Sequence, residues 1–321
     1  MKSFEKGLVS IIIPSWNRKE DVKALLDSLK KLSYRKFEVV IVDNGSKDGS
    51  VEMIRKEYPD VRLYCYDRNL GAPKARNLAL YHVKGEYTWV LDSDTEVLNA
   101  HILEDMLEIF EKHKDIGVIG GEIHPQRRKQ VIGLELKNNG ASFPVYFDLD
   151  DKKLHDVECV ATANAIFRTE SILKTRGFDD YYMYMGEDKD IEWKVLKQGY
   201  RVVCTGRTAM LHKVSPVSRI SSLPVLMKAK NKFVLGNYPF WKILLLPVFD
   251  VVHYLNPRTY RMMNTKRKER NQNLRTFSLF RILFFFVWGI IYGYGWNLFY
   301  LPQTLWVRWK RPDFIAKAGK E

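Results

Sequence analysis

The sequence predicts an α/β protein with a doubly wound, mostly parallel sheet, followed by a helical, basic region. Short β-branched runs alternate with segments of helical period through the first hundred residues. One of those runs stops abruptly at a pair of aspartates, as a buried strand does when it surfaces at its carboxyl end. Positive charge is concentrated after residue 256, where 13 Lys/Arg face only Glu269, Asp313 and Glu321. These features divide the chain into an α/β domain over residues 1–220 and a basic, aromatic-rich helical region over 221–321.

Taken in order, Leu8 to Ile13 and Phe37 to Val42 are apolar, β-branched strands. Between them, Val22, Leu25, Leu26 and Leu29 fall at helical spacing within Glu20 to Lys31, which completes a β-α-β unit. A helix over Ser50 to Glu57, a strand over Val61 to Tyr66 and a helix over Pro73 to His82 follow, then the strand that ends at Asp92. No internal repeat or low-complexity segment interrupts this alternation.

The aspartate pair is the most informative feature. In Tyr87-Thr88-Trp89-Val90-Leu91-Asp92-Ser93-Asp94, two hard oxygen donors stand at the end of an apolar strand. Mg²⁺ or Mn²⁺ held there keeps sites open for phosphate oxygens; the competing reading is a solvated acidic turn. The second strand ends likewise in Val42-Asp43-Asn44-Gly45-Ser46-Lys47-Asp48-Gly49-Ser50, a polar turn leading into a helix. Asp48 or Ser50 can cap that helix, whereas Asp43, before the turn, is placed to accept hydrogen bonds from a base or ribose.

With Ser10-Ile11-Ile12-Ile13-Pro14-Ser15-Trp16-Asn17-Arg18, these segments resemble the family 2 glycosyltransferases of the GT-A fold. The resemblance implies a nucleotide-diphosphate-sugar donor, a divalent cation (Mn²⁺ or Mg²⁺) and inversion at the anomeric carbon. On that pattern Pro14, Asn17, Asp43 and Asn44 line the nucleotide pocket, and Lys74 and Arg76 of Asn69-Leu70-Gly71-Ala72-Pro73-Lys74-Ala75-Arg76-Asn77 add cationic contacts. Asp92, Ser93, Asn164, Glu187 and Trp193 complete the donor site implied by the family. Met185-Gly186-Glu187-Asp188-Lys189-Asp190-Ile191-Glu192-Trp193 is similar to the family's acceptor-side motif, which makes Asp188 the general base. Read without the family, those acids would favour a helix N-terminus. His212 matches a further metal-ligand position beside Asp92 and Asp94, and Arg219 lies where a side chain would reach the diphosphate.

The resemblance covers roughly residues 7–215. Beyond it, residues 282–307 carry no charge, and Ile282 to Trp296 is nearly all apolar with Gly289 and Gly293 at small-xxx-small spacing. Phe240 to Leu255 is a shorter apolar stretch broken by Lys242, Pro247 and Asp250. Basic clusters flank the long segment on both sides, which disfavours a simple span. Trp288, Trp296, Trp306 and Trp309 beside those cations fit a monotopic segment on an anionic surface better. The net charge of +14 also suits nucleic acid, but the signatures of nucleic-acid-binding modules are absent. Three dispersed cysteines suggest a reducing compartment, and the start of the chain lacks a signal-peptide pattern.

The expectation is therefore a metal-dependent inverting hexosyltransferase on the cytoplasmic face of a membrane, adding one sugar to a lipid-linked glycan or surface-polysaccharide precursor. A polyprenyl-phosphate sugar synthase is the alternative within the enzyme class, and a noncatalytic nucleotide-sugar-binding scaffold the alternative outside it. The sugar, base, linkage and homo-oligomeric state are not readable from the residues.

Overall fold

A computed structural model describes residues 3–123, 129–182, 185–213, 223–255, 287 and 291–320. Arg219, its surrounding loop, the Arg258 to Arg281 cluster and most of the stretch from Ile282 to Gly289 lie outside the described residues. The chain forms two compact units: residues 1–135, 144–218 and 312–321 make the first, and 136–143 with 219–311 the second.

The first unit opens with the alternation expected: β1 (Glu5–Ser15), α1 (Lys19–Leu29), β2 (Phe37–Asp43), α2 (Ser50–Glu57), β3 (Arg62–Cys65), α3 (Ala72–His82) and β4 (Gly85–Leu91). It continues through β5 (Thr95–Val97), α4 (Ile102–Lys112), β6 (Ile116–Gly120), β7 (Glu122–Ile123), β8 (Gln130–Leu136), β9 (Ser142–Asp148), β10 (His155–Val157) and β11 (Asn164–Arg168). Two short helices, α5 (Thr169–Lys174) and α6 (Glu187–Leu196), then precede β12 (Arg201–Cys204) and β13 (Met210–His212).

The main sheet has the order β10-β12-β6-β11-β4-β1-β2-β3. Strands β4, β1, β2 and β3 are mutually parallel, and their chain order reverses between β1 and β4, the position at which open α/β sheets bind ligands. Six of its eight strands run in one direction, as expected of a mostly parallel sheet, but the sheet is mixed: β11 runs antiparallel to both β4 and β6, and β10 antiparallel to β12. The physical reason is that β11 arrives from a run of short strands and not from a crossover helix, so nothing forces it parallel. A second sheet, β5-β13-β7-β8-β9, carries β13 and the end of β7.

The core explains why the strands read as continuous apolar runs. Ile11, Ile13, Trp89 and Leu91 pack on one face with Leu25, Leu29 and Phe110, while Ile12, Val90 and Phe167 pack on the other with Ala79 and Ile191. Strands covered on both faces lose the polar alternation of a half-exposed sheet.

The second unit contains α7 (Leu223–Asn237), α8 (Phe240–Leu244), α9 (Leu246–Leu255) and α10 (Leu301–Lys310), with a buried polar knot joining α7 and α9. Asp250 is 1 % exposed and accepts from Lys230, from Asn139 Nδ2 at 3.0 Å and from Tyr294 Oη at 2.9 Å. That knot accounts for Asp250 within the Phe240 to Leu255 stretch. No helix among the described residues is long and apolar enough to cross a membrane.

Candidate active site

The site is built where β1, β2 and β4 end. Asp92 follows β4 directly, and its backbone carbonyl is held by Thr95 Oγ1 at 2.8 Å, which fixes the turn carrying Asp94. His212 comes from β13, which pairs antiparallel with β5 so that His212 stands opposite Thr95. Asp92, Asp94 and His212 can each offer a ligand atom, and these atoms lie within 4.8 Å of one another. Two carboxylates and an imidazole at this spacing are an acceptable donor set for Mn²⁺, and the carboxylates suit Mg²⁺.

The imidazole is oriented from behind. His212 Nδ1 lies 2.7 Å from Glu122 Oε2 and Nε2 lies 3.2 Å from Asp94 Oδ1. Glu122 on β7, a residue the motif reading missed, thus does for His212 what carboxylates behind ligating histidines do elsewhere. Its only signal in the sequence is an acid within a strand-like segment, Ile119-Gly120-Gly121-Glu122-Ile123. Burial lowers the His212 pKa, but Asp94 and Glu122 outweigh it and push the value up to about 10.

Arg76 links the aspartate pair to the acidic helix. Its side chain is 3 % exposed; Nη2 donates to Asp92 Oδ1 at 2.7 Å and Nη1 to Glu187 Oε1 at 3.0 Å. Phe178 lies against the guanidinium, its ring centroid 5.4 Å from Cζ. Glu187 and Asp188 open α6 after Gly186, whose φ of +96° favours glycine. Burial raises both carboxyls, with Asp188 adding to the shift at Glu187 and Arg76 opposing it at each.

At the β1–β2 edge, Asp43 is fully buried and accepts from Ser46 N at 2.8 Å and Ser46 Oγ at 2.5 Å. Asn17, at φ 49°, donates N–H to Ser46 Oγ and accepts from Lys47 N, both at 2.8 Å. Asn44 N donates to Ser15 O at 2.8 Å, and Asn44 Oδ1 and Ser15 Oγ are buried with no hydrogen-bond partner among the described residues. Such orphaned atoms call for a partner. Asp48 accepts from Ser50 N at 3.1 Å and from Lys19 N at 2.9 Å, but the N-cap of α2 is Gly49 with no side-chain cap bond, so the capping considered for Asp48 or Ser50 is not formed.

The remaining expected residues are placed as follows. Asn164, opposite Leu91 on β11, donates to Gly121 O at 2.6 Å and Thr208 O at 2.7 Å and accepts from Trp89 Nε1 at 2.8 Å. It sets the strand beneath Asp92. Trp193 is six residues beyond Glu187 on α6, about a third of a turn away around the axis, and carries Lys197 4.8 Å from its ring centroid. Glu192 is buried and accepts from Val160 N at 2.7 Å, a brace between α6 and the segment before β11. Pro14 sits at the end of β1, Lys74 in the first turn of α3 and Ser93 between the two aspartates.

Residues 10–175 match the family model described as glycosyl transferase family 2, and the chain belongs to that family. It is 26 % identical over 230 residues to the O-antigen biosynthesis protein RfbC of Myxococcus xanthus, a match covering 67 % of this chain and 18 % of that one. Among solved structures it is similar to S. aureus TarS in complex with UDP-GlcNAc, with a TM-score of 0.55, 21 % identity, and 82 % of this chain and 78 % of that one covered. The mannosyltransferase PcManGT from Pyrobaculum calidifontis, in complex with GDP-Man and Mn2+, gives a TM-score of 0.53 at 15 % identity, covering 95 % and 88 %. These last two likenesses establish the GT-A-like fold.

Proposed function

We propose that this chain transfers one hexose, with inversion, from a nucleotide-diphosphate-sugar to a hydroxyl of a lipid-linked glycan or surface-polysaccharide precursor. The observation that carries the reading is the Asp92–Arg76–Glu187 bridge: it joins a metal-competent aspartate pair to the half-buried acid pair at the head of α6. A phosphate-side group and a base-side group on one rigid frame are what a single displacement requires.

The residues divide the work. Asn17, Asp43 and Asn44, with Pro14 beside them, receive the nucleoside; the unpartnered Asn44 Oδ1 and Ser15 Oγ support that placement. Asp92, Asp94 and His212 would hold Mn²⁺ or Mg²⁺, which supplies positive charge to the departing nucleoside diphosphate. Ser93 and Lys74 are assigned to the donor's diphosphate and sugar; Arg219, expected there from the sequence, lies outside the described residues. Asp188 takes the proton of the attacking hydroxyl, and its raised pKa makes it a better proton acceptor than an exposed aspartate. Inversion needs one base and no protein nucleophile, in contrast to the carboxyl pair of a retaining glycosidase.

Residues 221–321 bring the enzyme to an anionic membrane surface on the cytoplasmic side, where a lipid-linked acceptor resides. Supporting this, Phe240, Leu244, Val252, Leu298, Phe299 and Trp309 are each more than 60 % exposed in the second unit, alongside Lys242, Lys310 and Arg311.

Asp188→Asn tests the reaction type. For a hydroxyl acceptor, kcat falls on the order of 10²- to 10⁴-fold with donor affinity retained. A loss of threefold or less would instead favour a phosphate acceptor, which needs little deprotonation.

A further inference from the structure

The segment after residue 311 behaves unlike the ninety residues before it. Those belong to the second unit, whereas Pro312–Glu321 belongs to the first. Within it, α11 (Phe314–Ala318) is capped by Asp313, which accepts from Ala316 N at 2.9 Å. Phe314, Ile315 and Ala318 are buried. Gly319 lies flat on Tyr81 of α3, where a Cβ would come within 2.4 Å of the ring.

Besides packing on α3 through Ile315 and Gly319, this helix directs its other contacts to one loop. Phe314 N donates to Arg176 O at 2.9 Å, and its ring meets Tyr181 edge-on at 6.4 Å. Lys317 Nζ pairs with Asp180 Oδ2 at 3.0 Å, an aspartate only 6 % exposed. Gly177, at φ +96°, is closely approached by Asn77 and Ile315: a Cβ there would sit 2.6 Å from Asn77 Oδ1 and 2.8 Å from Ile315 Cγ1. From the inner side Asn77 brackets Phe178, donating to its carbonyl and accepting from its N–H at 2.8 Å each, and donates to Asp180 at 3.0 Å.

That loop is the approach to the reacting groups. Phe178 backs the Arg76 guanidinium, which holds Asp92 and Glu187, and the chain runs on from Tyr182 to Asp188. We propose that Pro312–Lys320 is a positioning strap, with Ile315 and Lys317 fixing the Gly177–Tyr182 loop and thereby the placement of Arg76 and Asp188. Strap residues touch no reacting atom; they act through Asn77, Phe178 and Asp180. The kinetic part of this inference rests on the transfer reading above.

The test uses the full chain with Lys317→Ala, Ile315→Asp or removal of residues 312–321, and Lys317→Arg as the conservative control. Amide hydrogen exchange over residues 177–190 should rise at least about tenfold in the first three variants and not in Lys317→Arg, because local opening follows loss of local contacts. Exchange at the ends of β1 and β2 should stay unchanged. Donor affinity should hold within about twofold while kcat falls on the order of 10- to 100-fold, as expected for a small misplacement of a base. Unchanged exchange at 177–190 overturns the strap. So does a parallel loss of donor affinity, melting temperature and kcat, which would mark a merely structural helix. If the wild-type chain turns over no donor, the transfer reading fails, and the exchange measurement alone still decides for or against the strap.

Discussion

At the residue scale, the candidate metal trio Asp92, Asp94 and His212 stands out in the sequence because each member follows an apolar run, whereas Asp188 stands out only through the family resemblance. Glu122 does not stand out: one acid in a short strand carries no pattern, and only folding brings it behind His212. Replacing it tests the geometry. Glu122→Gln should weaken Mn²⁺ binding about 10- to 100-fold, measured by electron paramagnetic resonance titration, with the fold intact; unaltered affinity would remove Glu122 from the site. Asp188 carries a pH prediction whose sign follows from burial. Its carboxyl is raised, so it stays protonated to higher pH than an exposed aspartate, and a protonated base is inactive. Activity should therefore fall with acidification at a pH above about 4, the ordinary aspartate value. A profile of kcat/KM against pH with its acid limb at or below that value would contradict the assignment.

At the scale of elements, the β-α-β alternation up to Asp92 followed from local periodicity, and α2 spans Ser50–Glu57 as expected. The antiparallel β11 did not follow, because strand direction depends on the connection and not on the residues of the strand. Asn164, which the family pattern places with the donor, joins β11, β4 and the Gly121 and Thr208 carbonyls through its side chain. Asn164→Ala removes three buried hydrogen bonds and strands Trp89 Nε1, at a cost of about 3 kcal/mol. Urea denaturation would detect this, and a cost below about 0.5 kcal/mol would show the network to be dispensable. In α6 the acids suit the helix dipole, and Glu192 serves only as a brace, yet Glu187 is bound to Arg76 across more than a hundred residues of sequence.

For the whole molecule, composition told that the last third differs from the rest, but not how the chain apportions itself. Residues 136–143 join the second unit and 312–321 return to the first, exchanges that no charge count reveals. The exposed aromatic and aliphatic side chains of α8 and α9 support the membrane assignment, and they supply its test. Phe240→Asp with Trp241→Asp should lower binding to phosphatidylserine-containing vesicles at least about tenfold in a flotation assay, given roughly 1.5–3 kcal/mol for each large apolar side chain withdrawn from water. Equal flotation would move the membrane contact elsewhere. The central claim, that Asp92, Asp94, Arg76 and Asp188 form one nucleotide-sugar transfer site, is tested most directly by nucleotide diphosphate release. A panel of UDP-, GDP- and dTDP-sugars would be assayed with Mn²⁺, Mg²⁺ or EDTA, with and without a native lipid extract. The predicted result is release from one donor that requires both the metal and the extract and is lost in Asp92→Asn and Asp188→Asn. Failure of every donor to bind or turn over under any metal condition would contradict it and leave a noncatalytic role in glycan assembly.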